Sequence, residues 1–157
     1  MPAVSAANCM AANVWAMTQP LLELTLVRPW HWGIAIVGDP TALVPDIEPG
    51  KPVTVGGDTL VLLVRHAQDV DVEVLSDETD WSTVTIHLRS LVAPDPTDRV
   101  IVGEMVIDKA NERISVGDAD GEIAVPTPAP RTQVVVSAAT AAAPMDEVWI
   151  DLWPAAD

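Results

Sequence analysis

The sequence predicts an all-β fold: an antiparallel β-sandwich of about eight to ten strands. Three observations carry this. Short runs of β-branched and other apolar residues recur from Leu21 onward, the composition that a pleated, half-buried surface favours. Turn signals built from Gly, Pro and Asp separate the runs at intervals of about 8–12 residues. No stretch holds a sustained apolar period of about 3.6 residues, so no helix is expected outside the N-terminal lead.

The elements follow in order. Leu21–Val27 and Gly33–Val37 are short apolar runs, and Thr59–Arg65 is nearly continuous, as a central buried strand is. Val70–Leu75 alternates strictly, with valines on one face and Asp71 and Glu73 on the other. Ser82–Arg89 alternates too: Val84, Ile86 and Leu88 point one way, and Thr83, Thr85, His87 and Arg89 the other. Arg99–Ile107 carries Gly103 in its middle, the mark of a bulge or a close backbone approach. Ile114–Val116, Glu122–Val125, Thr132–Ser137 and Glu147–Trp153 complete the series. The punctuation includes Gly38-Asp39-Pro40, Glu48-Pro49-Gly50, Gly56-Gly57-Asp58 and Gly117-Asp118. Ala138–Ala143, lying between two strand runs and before Pro144, reads as a loop.

Residues 1–19 read as an Ala-rich, flexible N-terminal lead and residues 20–157 as a single β-sandwich domain. The first acid is Glu23 and the first base is Arg28, so no basic region precedes an apolar stretch as in a secretory signal. No apolar run approaches the length of a membrane-spanning helix. Met10 and Met17 are alternative starts to Met1, and the cytoplasm is the expected location.

Composition excludes whole classes of function. Eight Lys plus Arg stand against 23 Asp plus Glu, a net charge of −15. A protein that binds nucleic acid by neutralising phosphates is basic, so no nucleic-acid partner is expected. Cys9 is the single cysteine, which rules out a disulfide scaffold. His31, His66 and His87 lie far apart and form no local metal-ligand pair with it. Asp118-Ala119-Asp120-Gly121-Glu122 lacks the ligands that would make it a calcium loop and reads as a turn between strands. No nucleophile motif is present, so no catalytic residue, cofactor or metal site is assigned. Convergence of His31, His66 or His87 with carboxylates in one cleft would reopen the question of an enzyme.

The negative charge is unevenly placed. Residues 39–80 hold ten acids against Lys51 and Arg65 alone. Asp69, Asp71 and Glu73 share one strand face, and Asp77, Glu78 and Asp80 follow, with Trp81 directly after them. Carboxylates crowded this way repel one another, whether they form a docking surface, a cation site or an ordinary solvated face. A Trp beside carboxylates suits a basic partner, because it adds cation–π contacts to charge. Asp69, Asp71, Glu73, Asp77, Glu78, Asp80 and Trp81 are therefore the candidate partner-binding residues.

With Phe and Tyr absent, six Trp supply all the aromatic bulk. Trp149 and Trp153 share a strand face, with Asp151 between them; Trp30 and Trp32 would share another if their segment is extended. Either pair could stack sugar rings or anchor a protein.

From Arg113, the run Ile114–Pro126, the strand Thr132–Ser137 and the closing Asp146–Pro154 resemble small bacterial β-sandwich proteins of the competence protein J type. The family's pattern places a Gly, aromatic residues and Arg after Pro126, where this chain has Pro128, Pro130 and Val134–Val136. The resemblance covers the last third of the chain. It implies a β-sandwich and, from the founding member, inhibition of a DNA-degrading nuclease; it assigns no residue.

These readings converge on a non-enzymatic domain that presents an acidic surface to a basic protein partner, a nuclease or toxin, in the manner of a nuclease inhibitor or immunity protein. The alternative is a carbohydrate-binding module using the paired Trp residues.

Overall fold

The computed structural model describes residues 20–70, 81–108 and 112–156. They form ten strands and no helix. The strands are β1 (Leu22–Pro29), β2 (Ile34–Gly38), β3 (Val53–Gly56), β4 (Thr59–Leu63), β5 (Thr83–Ser90), β6 (Val100–Asp108), β7 (Arg113–Asp118), β8 (Gly121–Pro126), β9 (Arg131–Ala138) and β10 (Glu147–Pro154). Nine of them coincide with predicted runs. β3 is additional. The strand expected over Val70–Leu75 lies, from residue 71 on, outside the described residues.

Two five-stranded sheets result, ordered β1-β5-β10-β9-β6 and β3-β4-β2-β7-β8. Pairing is antiparallel except for β10 against β5, which is parallel. A parallel pair cannot be closed by a hairpin and needs a long connection. Here β6 to β9 supply it, so the C-terminal strand slots between β5 and β9.

The apolar alternation sets which face is buried. Val84, Ile86 and Leu88 of β5 and Val148, Ile150 and Leu152 of β10 point inward, as their sequence period requires. They meet Ala35, Val37, Leu60, Leu62, Ile114 and Val116 from the second sheet. Each fully buried Leu or Ile contributes about 1.5–3 kcal/mol by leaving water.

The two lateral edges close differently. At one, Gly103 sits at a register shift in β6, and a Cβ there would lie 2.5 Å from Val53 Cγ1 of β3. The glycine thus marks both a bulge and a close approach. At the other, Arg28 of β1 reaches Asp118, at the end of β7, at 2.8 Å. Asp118-Ala119-Asp120-Gly121 is the β7–β8 turn that the sequence predicts, with the Asp120 N–H donating to Asp118 Oδ1 at 3.0 Å.

Candidate functional site

One end of the sandwich gathers three connections. After β1 the chain turns at Trp30–Gly33, and the Gly33 N–H donates to the Trp30 carbonyl at 3.2 Å. That carbonyl also accepts from the Ala67 N–H at 3.0 Å, after β4. Ala67 in turn accepts from the Ser82 N–H at 2.9 Å, and Ser82 Oγ donates to the Asp69 carbonyl at 2.6 Å. Asp69 and Trp81, which flank residues 71–80, are thereby held at one place.

The turn separates the two tryptophans of Pro29–Gly33. Trp30 is fully buried with Arg28 stacked 3.8 Å over its ring, whereas Trp32 is 60% exposed. The segment is not extended but turns between them, so the condition under which they would share a face is not met. Trp81 is 42% exposed and meets the His31 ring edge-on at 5.1 Å. Val70 is exposed as well. Asp69 and His66 line an open cleft of about 570 Å³ against Ala141, Ala142 and Pro144. His66 Nδ1 accepts from the Gln68 N–H at 3.0 Å, so its other ring nitrogen is the one free to donate. Of the predicted partner-binding residues, the structure places Asp69 and Trp81 together and exposed. Asp71, Glu73, Asp77, Glu78 and Asp80 lie outside the described residues.

A second cluster occupies the outward face of the first sheet, and sequence reasoning missed it. Asp151, buried between Trp149 and Trp153 on β10, accepts two hydrogen bonds of 2.7 Å from Arg89 of β5 and lies 3.5 Å from Arg99. Arg89 also reaches Asp95 at 3.1 Å. The Arg89 guanidinium is held above its ordinary range, chiefly by its hydrogen bonds to Asp151. Arg99 donates to Ser137 Oγ at 3.1 Å and lies 4.6 Å from the centre of the Trp149 ring. Trp149 also stacks on His87, with centroids 4.9 Å apart and an interplanar angle of 18°. Its ring is therefore engaged from within the molecule, which removes the Trp149–Trp153 pair as a ready-made sugar platform.

Among the described residues, His87 is the histidine that meets a carboxylate closely, at 2.9 Å from Glu147 Oε1, with Thr25 Oγ1 3.2 Å from its Nδ1. A hydroxyl, an imidazole and a carboxylate in series have the connectivity of an activated nucleophile. Here they lie on the outward face of a sheet, one on each of β1, β5 and β10, and tie the three strands together. No group of three or more His, Cys, Asp or Glu is placed to hold a metal ion among the described residues. No helix among them is long and apolar enough to cross a membrane. The signal that could have exposed this cluster is the polar residue between two Trp on a strand otherwise fit for burial. The partner of Asp151 in its bidentate pair, Arg89, lies 62 positions away and is set opposite it by the parallel pairing.

No family model and no curated protein matches the chain. Two solved structures are similar in fold. One is ComJ, inhibitor of the DNA degrading activity of NucA, from Bacillus subtilis, with a TM-score of 0.53 at 9% identity over 89% of this chain and all of that one. The other is described as crocagin biosynthetic gene J, with a TM-score of 0.48 at 12% identity over 85% and 96% of the two chains. The likeness to ComJ extends the resemblance of the last third to most of the chain, as a likeness of fold.

Proposed function

We propose that this chain is a non-enzymatic protein-binding domain that docks a basic partner through the sandwich end bearing Asp69 and Trp81, and that the partner is a nuclease. The observation that carries this reading is the joint exposure of Asp69 and Trp81, pinned together at the two ends of a sequence segment that contains Asp71, Glu73, Asp77, Glu78 and Asp80. The ComJ-like fold is consistent with such a role. A nuclease cleft is positively charged so as to receive phosphates, and an acidic surface with an exposed aromatic ring complements it. Charge complementarity of this kind accelerates encounter by about 10–10³-fold at low salt.

The test is inhibition of a NucA-type nuclease by this chain, followed by stopped-flow association. Asp71→Lys with Glu73→Lys is expected to slow association at least about tenfold at low salt. Trp81→Ala is expected to speed dissociation, at about 2 kcal/mol or more if the ring is a central anchor. Association indifferent to both the charge reversal and the salt concentration would overturn the reading.

A further inference from the structure

The open cleft beside Asp69 and His66 is built from backbone held firmly in place. The Leu63 N–H donates to the Pro52 carbonyl at 2.9 Å, and the Val64 N–H to the Gly33 carbonyl at 3.0 Å. The Met145 N–H donates to the Leu63 carbonyl at 3.1 Å, and the Met145 carbonyl accepts from the Arg65 N–H at 3.0 Å. Arg65 Nε also meets Asp146 Oδ1 at 2.8 Å. Three segments are thereby fastened around Leu63 and Val64: the turn at Gly33, the connection at Gly50–Pro52 and the loop at Ala141–Pro144. The walls have little with which to fill the space. Gly33 and Gly50 sit at φ of +65° and +80°, where side chains are strained. Ala141, Ala142 and Ala143 supply one methyl group each.

The lining has a definite chemistry. Leu63, Pro52 and Pro144 offer apolar contact, and Leu63 is only half-buried. Asp69 is engaged through its main chain: its N–H donates to the His66 carbonyl at 2.9 Å, and its carbonyl accepts from Ser82 Oγ. Its carboxylate has no partner among the described residues, and the residue is exposed. A small-molecule site encloses about 70–90% of its ligand, which a cleft open to this degree cannot do. Its volume of about 570 Å³ admits a short stretch of chain laid along it.

We infer that this cleft receives an extended segment of the basic partner, in which apolar side chains flank one lysine or arginine. The inference rests on the docking reading above and adds where the partner enters and what it must carry. Apolar side chains gain by leaving water against Leu63, Pro52 and Pro144. A lysine or arginine lays its aliphatic stem along the same wall and brings its charged head to Asp69. Two other occupants fit less well. A second copy of this chain brings a net charge of −15 to a surface of the same sign. Residues 1–20 carry no charged side chain, so they offer Asp69 no side-chain cation.

The experiment is calorimetric titration of the full chain and its variants with a NucA-type nuclease. Ala142→Trp fills the cleft and is expected to raise the dissociation constant at least about tenfold. Asp69→Asn should raise it at least about fivefold, and Ala142→Ser, which leaves the cleft open, should not change it. An unchanged urea midpoint in each variant shows that the fold is kept. In a second arm, p-benzoylphenylalanine replaces Gln68, which is exposed between His66 and Asp69. Irradiation of the complex is expected to join it to a nuclease segment in which a lysine or arginine lies among apolar residues, identified by mass spectrometry. Failure of the unaltered chain to bind would defeat the docking reading itself, and this inference with it. Binding that survives both Ala142→Trp and Asp69→Asn undiminished would overturn the cleft alone. So would a crosslink to residues 1–19, to a second copy of the chain or to an acidic nuclease segment.

Discussion

Asp151 shows how far a single side chain can organise a face. It is 4% exposed, yet it holds Arg89 in a bidentate pair and draws in Arg99, which in turn covers Trp149. Removing one partner of such a pair leaves an uncompensated buried charge, which costs about 3–5 kcal/mol, whereas replacing both with apolar residues is often neutral. Asp151→Ala is therefore expected to lower unfolding stability by about 3 kcal/mol, read from urea denaturation, and Asp151→Leu with Arg89→Met to restore much of it. Arg89 should impose no pH dependence near neutrality. A cation whose folded pKa is raised keeps its full stabilisation below the unfolded value and loses it only as pH rises through the folded one. For Arg89 that window lies far into the alkaline range. The Arg89–Asp151 pair was illegible in the sequence for a plain reason: its members are 62 residues apart, and nothing near either names the other. Trp81 was legible, because exposure follows from an acidic neighbourhood that no core would accept.

At the scale of elements, periodicity revealed most strands and pairing revealed few. β5 and β10 alternate cleanly, and their inward faces are the ones the alternation names. β3 escaped notice because it is four residues long, bounded by Pro52 and Gly57, and too short to show a period. The parallel register of β10 on β5 is a property of the whole sandwich and leaves no local trace. Gly103 is the exception, since a glycine inside a strand announced a meeting that the structure then located at Val53. Val is stiff at χ1 and cannot swing aside. Gly103→Ala is expected to destabilise by about 1–3 kcal/mol through overpacking. Adding Val53→Ala should recover part of that loss, because it removes the methyl groups that the new Cβ strikes. A double-mutant cycle in urea would show the coupling, and purely additive effects would mean that the strain lies in the β6 backbone instead.

For the whole molecule, the net charge of −15 acts on two equilibria with opposite sign. Folding gathers like charges into a smaller volume, so self-repulsion works against the native state. Docking onto a basic partner brings unlike charges together and gains from the same field. Salt screens both: the Debye length falls from about 30 Å at 0.01 M to about 10 Å at 0.1 M. Raising the salt concentration across that range should therefore move the urea midpoint of the free chain upward while slowing association with the nuclease. The buried Arg89–Asp151 pair, shielded from solvent, should contribute little to either trend. Divergent trends would tie the acidic excess to recognition. If association instead quickened with salt alongside stability, contact would be apolar, and Trp32 and Trp81 would carry the docking end without the acids between Asp69 and Trp81.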